Sequence, residues 1–234
     1  MANSYGHTVK AFDEDLTQLR GLVAEMGGRA EAAVSDAIAA LVNRDLEGAA
    51  RIVEEDKAID TLDAEVERHV VRLIALRAPM ADDLREVLAA LKIAGLIERM
   101  GDYAKNIAKR VPLIAEGGTV EPIAILPPMG SAVSSMVHDA LDAFAARDPD
   151  AAREVCIADR TVDDFYDSMF RALLTHMMEN PQTITAATHL LFVAKNLERI
   201  GDHATNVAEM VYFAATGEQL VERTRGQDPL VERA

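Results

Sequence analysis

The stretch ERMGDYAKNIA at residues 98–108 returns as ERIGDHATNVA at residues 198–208, and the reading of this pair decides the fold. Seven of the eleven positions are identical across a shift of 100. Further out, DKAID at 56–60 matches DRTVD at 159–163, and Asp36-Ala37 matches Asp139-Ala140, both at a shift of 103. Two helices of biased composition share one ExxxD by accident easily. An ordered set of matches through three segments is the mark of duplication. The change in offset falls near Pro79 and Pro181, where turns absorb insertions cheaply.

The matched blocks sit on helical periodicity. Phe12, Leu16, Leu19, Val23, Met26, Ala30, Val34, Ala37 and Leu41 recur mostly at three or four residues, which predicts a helix from about Val9 to Asn43. Gly27 and Gly28 are weak points in it, at ~1 kcal/mol each relative to Ala. Asp45 is placed to cap a second helix through Ile52, Ile59, Leu62, Val66, Leu73 and Leu76, which Pro79 ends. A third runs through Leu84, Leu91, Ile97 and Ile107 and fades at Pro112 or by Gly117 and Gly118. Residues 117–128, with two glycines and three prolines, read as a linker. The plan then repeats: 129–146, then Asp148-Pro149 to about Met178, then Asn180-Pro181 to about Ala215, with a polar tail from Gly217. The expected fold is all-α, a tandem repeat of two three-helix bundles over residues 1–118 and 119–234.

Charge narrows the function. Lys+Arg 24 against Asp+Glu 39 leaves a net charge of −15, which repels nucleic-acid backbones and anionic lipid headgroups. Any membrane association is therefore expected through a protein partner. The single cysteine, Cys156, excludes an internal disulfide and reads as a small apolar helix residue in a reducing compartment. Residues 1–15 lack the apolar core of a signal peptide, and no apolar run approaches the ~20 residues of a membrane span. A cytoplasmic chain without membrane insertion is expected.

The chemistry-bearing constellation is a set of four carboxylate pairs. Glu98 and Asp102 lie four residues apart, as do Glu198 and Asp202, Asp56 and Asp60, and Asp159 and Asp163. That spacing sets both side chains of a pair on one helical face, and like charges there destabilise a bare helix. Asn106 and Asn206 extend the stripe, and Gly101 and Gly201 sit mid-helix, where close approach by another group is expected. Each acid of the third helices follows a residue of an apolar seam, so these acids should line its edge. Two readings stand: solvated faces paired with residues such as Arg99 and Arg199, or hard oxygen donors for Mg²⁺, Ca²⁺, Mn²⁺ or iron.

Other motifs are missing. No histidine has a Glu three positions before it, and there is no HExxH, paired CxxC, Walker loop or dinucleotide loop. His203 adjoins Asp202, but Tyr103 holds the matching place; His69 reads as a packed or surface residue. The methionines, Met26, Met129, Met136, Met177 and Met178 among them, read as core filling.

The paired ERxGDxxxN blocks, the DxxxD repeats, and the stretches HTVKAFDEDLTQLRGLVAEMGG, RAPMADDLR and DALDAFAARD resemble the PhoU family of phosphate-transport accessory proteins over about nine-tenths of the chain. The resemblance implies two three-helix bundles related by pseudo-two-fold symmetry, commonly as a homodimer. It implies negative control of the phosphate-starvation regulon and modulation of the high-affinity phosphate ABC transporter. The partners would be the transporter ATPase subunit and the sensor histidine kinase, in the cytoplasm or peripherally at the inner membrane. Some members bind metal, so iron, zinc, manganese or magnesium is implied at Asp56, Asp60, Glu98, Asp102, Asp159, Asp163, Glu198 and Asp202. The competing expectations are a carboxylate-bridged metalloenzyme and a metal-free helical adaptor.

Overall fold

The computed structural model describes residues 4–117 and 120–220, with side chains described from Lys10 onward. Its helices are α1 (Ser4–Asn43), α2 (Leu46–Arg77), α3 (Asp82–Ala108), α4 (Val111–Ala115), α5 (Leu126–Ala146), α6 (Pro149–Glu179) and α7 (Ile184–Thr216). Two short 3₁₀ turns complete the order, and no strand occurs among the described residues. α1, with 40 residues, is about 60 Å long at 1.5 Å per residue.

The local signals act at most of the expected ends. Asp45 accepts a hydrogen bond from the Gly48 amide at 2.9 Å, and Asp148 accepts from the amides of Asp150 and Ala151. Arg44 and Arg147, one residue before these caps, both take φ of 54°, so the two bends are copies of each other. Some boundaries differ from the sequence reading. α1 begins at Ser4 rather than near Val9. The expected linker is largely helical: a 3₁₀ turn spans Glu121–Ile125, and α5 starts at Leu126. Pro127 and Pro128 belong to the first turn of α5, where a missing N–H costs nothing. Asn180 makes no side-chain cap; a 3₁₀ turn at Pro181–Thr183 leads into α7. Gly118 and the polar tail beyond Leu220 lie outside the described residues.

Within each unit the three long helices pack on one another, α1–α2–α3 and α5–α6–α7. Between units α1 packs on α5 and α3 on α7, and one continuous aliphatic core runs through both. The packing is reciprocal. A Cβ at Gly27 would meet both Leu141 methyls at 2.5 Å, and a Cβ at Gly130 would meet Ile38 at 2.9 Å. Gly27 and Gly130 are 103 positions apart, and so are Ile38 and Leu141, so each copy places its branched side chain over the other's glycine. Such mutual exchange is the signature of two-fold packing. On the same axis Tyr103 of α3 stacks on His203 of α7, centroids 5.5 Å apart and 13° from parallel. Glu86 of α3, only 8% exposed, ties the units further by taking both guanidinium groups of Arg20 on α1 and Arg147 after α5.

The glycine packing makes a direct prediction. Gly28 is exposed with nothing within 4 Å of its would-be Cβ, so Gly28→Ala should raise the thermal midpoint through helix propensity, by up to ~1 kcal/mol. Gly27→Ala should lower it, because Leu141 must move, and overpacking costs ~1–3 kcal/mol. In a Leu141→Ala background Gly27→Ala should lose that cost. Equal midpoints for the two glycine variants would contradict the interlock.

Candidate acidic site

Gly101 brings α3 close to α2. A Cβ there would meet Ile59 Cδ1 at 2.8 Å and Asp56 Oδ1 at 3.4 Å. That closeness puts Asp56 of α2 and Asp102 of α3 around one cation of the chain itself. Lys105 Nζ donates to Asp56 Oδ2 and to Asp102 Oδ1, each at 2.5 Å. Asp56 is 6% exposed, while Asp60 is exposed. Burial disfavours the Lys105 ammonium, but the hydrogen bonds to Asp102 and Asp56 outweigh it and raise its pKa above the ordinary value. Glu98 is half-buried with Arg99 at 3.7 Å; burial, then the charge of Asp102, raises its carboxyl pKa. Asp63, absent from the sequence reading, joins this face and is likewise raised by burial and by Glu67 and Asp60.

The second unit repeats the backbone and changes the charges. A Cβ at Gly201 would lie 3.4 Å from Val162 Cγ1 and 3.5 Å from Asp159 Oδ1, the positions matching Ile59 and Asp56. Where the first unit has Lys105, the second has Thr205, 2% exposed, whose hydroxyl donates back to the Gly201 carbonyl at 3.2 Å. The nearest ammonium comes from one helical turn earlier than Glu198: Lys195 Nζ donates to Glu198 Oε1 at 2.7 Å and sits 5.1 Å from the Tyr166 ring centre. Glu198 Oε2 is buried and has no hydrogen-bond partner among the described residues. Burial raises the Glu198 pKa against the pull of Lys195. Partial burial, then the charges of Asp159, Asp202 and Asp167, push the exposed Asp163 carboxyl up to about 6.

In the first unit Asp56 and Asp102 meet across α2 and α3 through Lys105, and in the second Asp163 lies within reach of the charges of Asp159 and Asp202. Among the described residues no three His, Cys, Asp or Glu side chains converge closely enough to share an ion. The second set supplies hard carboxylate oxygens, one of them (Glu198 Oε2) buried without a partner among the described residues, but they do not converge on one ion position. The first set does not fit an ion, because Lys105 already takes an oxygen of Asp56 and one of Asp102. Burial lowers the His203 pKa, and its ring stacks on Tyr103 while its Nδ1 is buried without a hydrogen-bond partner among the described residues; His69 Nε2 lies 2.8 Å from the Asp15 carbonyl. Cys156 is a half-buried packing residue with its sulfur 4.0 Å from the Thr205 carbonyl. Met26, Met129 and Met136 fill the core as expected, whereas Met178 is 77% exposed.

The chain matches the family model described as the PhoU domain twice, over residues 23–111 and 126–211, one match in each unit. It is 58% identical over 229 residues to the Zymomonas mobilis protein named phosphate-specific transport system accessory protein PhoU homolog, covering 98% of this chain and 97% of that one. It superposes with a TM-score of 0.85 on the crystal structure of PhoU from Pseudomonas aeruginosa, 37% identical, covering 88% of this chain and all of the other. A structure from Streptococcus pneumoniae, named the phosphate transport system regulatory protein PhoU, gives 0.84 at 30% identity, covering 89% of this chain and 99% of that one.

The raised Asp163 pKa predicts a pH dependence. The group's ordinary pKa is 3.8, so between there and about 6 the folded chain binds the proton more tightly than the unfolded chain. Stability from this group is present below that window and is lost as pH rises through it. His203, with its pKa lowered by burial, acts with the opposite sign, losing stability as pH falls below 6.5. Comparison with Asp163→Asn isolates the first effect. In chelator-treated protein the variant should melt above the parent at pH 7.5, by up to about 1 kcal/mol given solvent screening at this exposed position. The gap should narrow on acidification to pH 4, as thermal melts will show; a widening gap would contradict the charge crowding.

Proposed function

The chain belongs to the PhoU family, and on that premise we propose that it represses the phosphate-starvation regulon when phosphate is ample, acting by contact rather than catalysis. Its partners in this reading are the ATPase subunit of the high-affinity phosphate transporter and the membrane sensor kinase. The observation that carries the proposal is similarity along nearly the whole of a relative named as a phosphate-specific transport accessory protein. The name of the Streptococcus pneumoniae structure adds a regulatory role for that protein.

The physical features suit such a role. No helix among the described residues is long and apolar enough to cross a membrane, so a membrane partner is reached by surface contact. The two units present similar faces, and the α2–α3 turn and the last turn of α6 expose Met80 at 80% and Met178 at 77%. Flexible, polarizable methionine side chains adapt to a partner surface. Metal forms part of the proposal at Asp159, Asp163, Glu198 and Asp202. A bound ion there would supply positive charge that draws α6 and α7 together. A homodimer, offering four such faces, belongs to the same reading.

A starvation-promoter reporter tests it. In phosphate-rich medium a strain lacking this chain should express the reporter, and the full-length chain should silence it. A pull-down from solubilised membranes should recover the transporter ATPase or the sensor kinase. A silent reporter in the deletion strain, or recovery of promoter DNA alone, would remove the proposal.

A further inference from the structure

With 39 acidic against 24 basic side chains, most of this surface is negative, and one face runs the other way. Lys92 and Arg99 of α3 lie seven residues apart, and Arg110 follows eleven later, past a junction whose backbone stays right-handed helical. Both spacings are close to whole turns, so the three cations share one side of the helix over about 27 Å. Arg199 of α7 joins them, its guanidinium 5.7 Å from the Tyr103 ring of α3. Arg110 crosses the other way, 4.4 Å over the Phe192 ring of α7, with its Nη1 donating to His189 Nδ1 at 3.1 Å. The stacked rings of Tyr103 and His203 lie between the two helices of this face.

The chain makes little use of these charges. Arg20, Arg77, Arg147 and Lys105 each meet a carboxylate of another helix. Among the described residues Lys92, Arg110 and Arg199 form no ion pair, and Arg99, 64% exposed, has its chain neighbour Glu98 at 3.7 Å. Arg110 is partly buried, and burial lowers its pKa with no carboxylate acting against it. Phe192 and His189 hold it in place, so little side-chain freedom is lost when an anion arrives. Phe192 itself is 49% exposed, and arginines set among aromatic rings are the composition of binding centres.

The surroundings select the occupant. Glu98, within reach of Asp60 and Asp63, borders the strip on the α2 side, and Asp202 with Asp163 borders it on the α6 side. A wide polyanion such as nucleic acid would overlap those acids, whereas a single segment lies between them. A second copy joined on this face by a two-fold axis would set Arg99 and Arg199 against the same arginines, and like charges there repel. We propose that the α3–α7 face docks an acidic segment of a partner protein, one helix wide, whose carboxylates pair with Arg99, Arg199 and Arg110 beside an apolar side chain on Phe192. The proposal rests on the contact reading above and adds which face is used and what chemistry the partner brings.

The test measures binding of the purified transporter ATPase subunit and the detergent-solubilised sensor kinase to the full-length chain. Arg99→Gln with Arg199→Gln should weaken the partner that binds by roughly tenfold or more, and Arg110→Gln should weaken it severalfold. Arg29→Gln, on the exposed side of α1, should leave binding unchanged, with helicity and thermal midpoint checked for every variant. Poly-L-glutamate should displace the partner from the parent chain, and added NaCl should weaken the parent more than the arginine variants. Equal binding by the parent and folded arginine variants would overturn the proposal while leaving regulation by contact intact. Displacement by single-stranded DNA in preference to poly-L-glutamate would overturn it in favour of nucleic acid. Loss of self-association in the arginine variants, with partner binding unchanged, would make the face an interface between copies and overturn it. If neither protein binds the parent, the contact reading fails; poly-L-glutamate then decides, since binding lost in the arginine variants upholds the face and no binding overturns it.

Discussion

The structure depends on how closely the duplicated units approach each other. Gly27 of α1 receives Leu141 of α5, and Gly130 of α5 receives Ile38 of α1. With any larger side chain at the two glycines the helices would stand further apart, and the aliphatic core that runs through both units would open between them. The cost of two mid-helix glycines is offset by that burial. The same logic recurs one layer away, where Gly101 and Gly201 bring the third helices against the second. Close approach at these glycines is what sets carboxylates from different helices beside one another.

The acids follow from that geometry, and so does the need to neutralise them. Packing α3 onto α2 buries Asp56, and a buried carboxylate requires a paired charge or a hydrogen-bond donor. Lys105 supplies both to Asp56 and Asp102 at once. The second unit is packed a little more loosely at its glycine, its Asp163 is exposed, and its Glu198 keeps an oxygen without a donor. Duplication thus produced two copies of a scaffold whose electrostatics have diverged. The first is internally compensated and acts as a fixed support. The second keeps an oxygen of Glu198 buried without a partner among the described residues and a crowded Asp163 carboxyl.

The pairing across the axis shows similar divergence within symmetry. Tyr103 and His203 occupy the same position of the two copies and stack on each other, with the Arg199 guanidinium 5.7 Å from the Tyr103 ring. A histidine beside an aspartate looks like a ligand in isolation. In the fold its ring is a stacking surface, and burial lowers its pKa. Glu86 has no acidic counterpart in the second unit, where Ala186 and Ala187 line the start of α7. It binds Arg20 and Arg147 from two different units, so one asymmetric ion cluster reinforces a symmetric interface.

The sequence by itself determined the all-helical class, the duplication, the seams and the four acidic pairs. Each of these is a periodicity or a repeat, and periodicity follows from backbone geometry that every helix shares. The caps at Asp45 and Asp148 were legible for the same reason, since a cap bonds residues two or three positions away. Gly27 read only as a weak point, although Gly130 stands 103 positions later, because its partner is 114 residues distant in the chain and is chosen by packing. The difference between Lys105 and Thr205 was visible in the quoted blocks, yet its meaning was not. Which carboxylates an ammonium reaches, which acid is buried, and which oxygen lacks a donor all depend on side chains from separate helices meeting in space. Tertiary structure alone decided those, because electrostatic energy depends on distance and burial, and neither is a property of position along the chain.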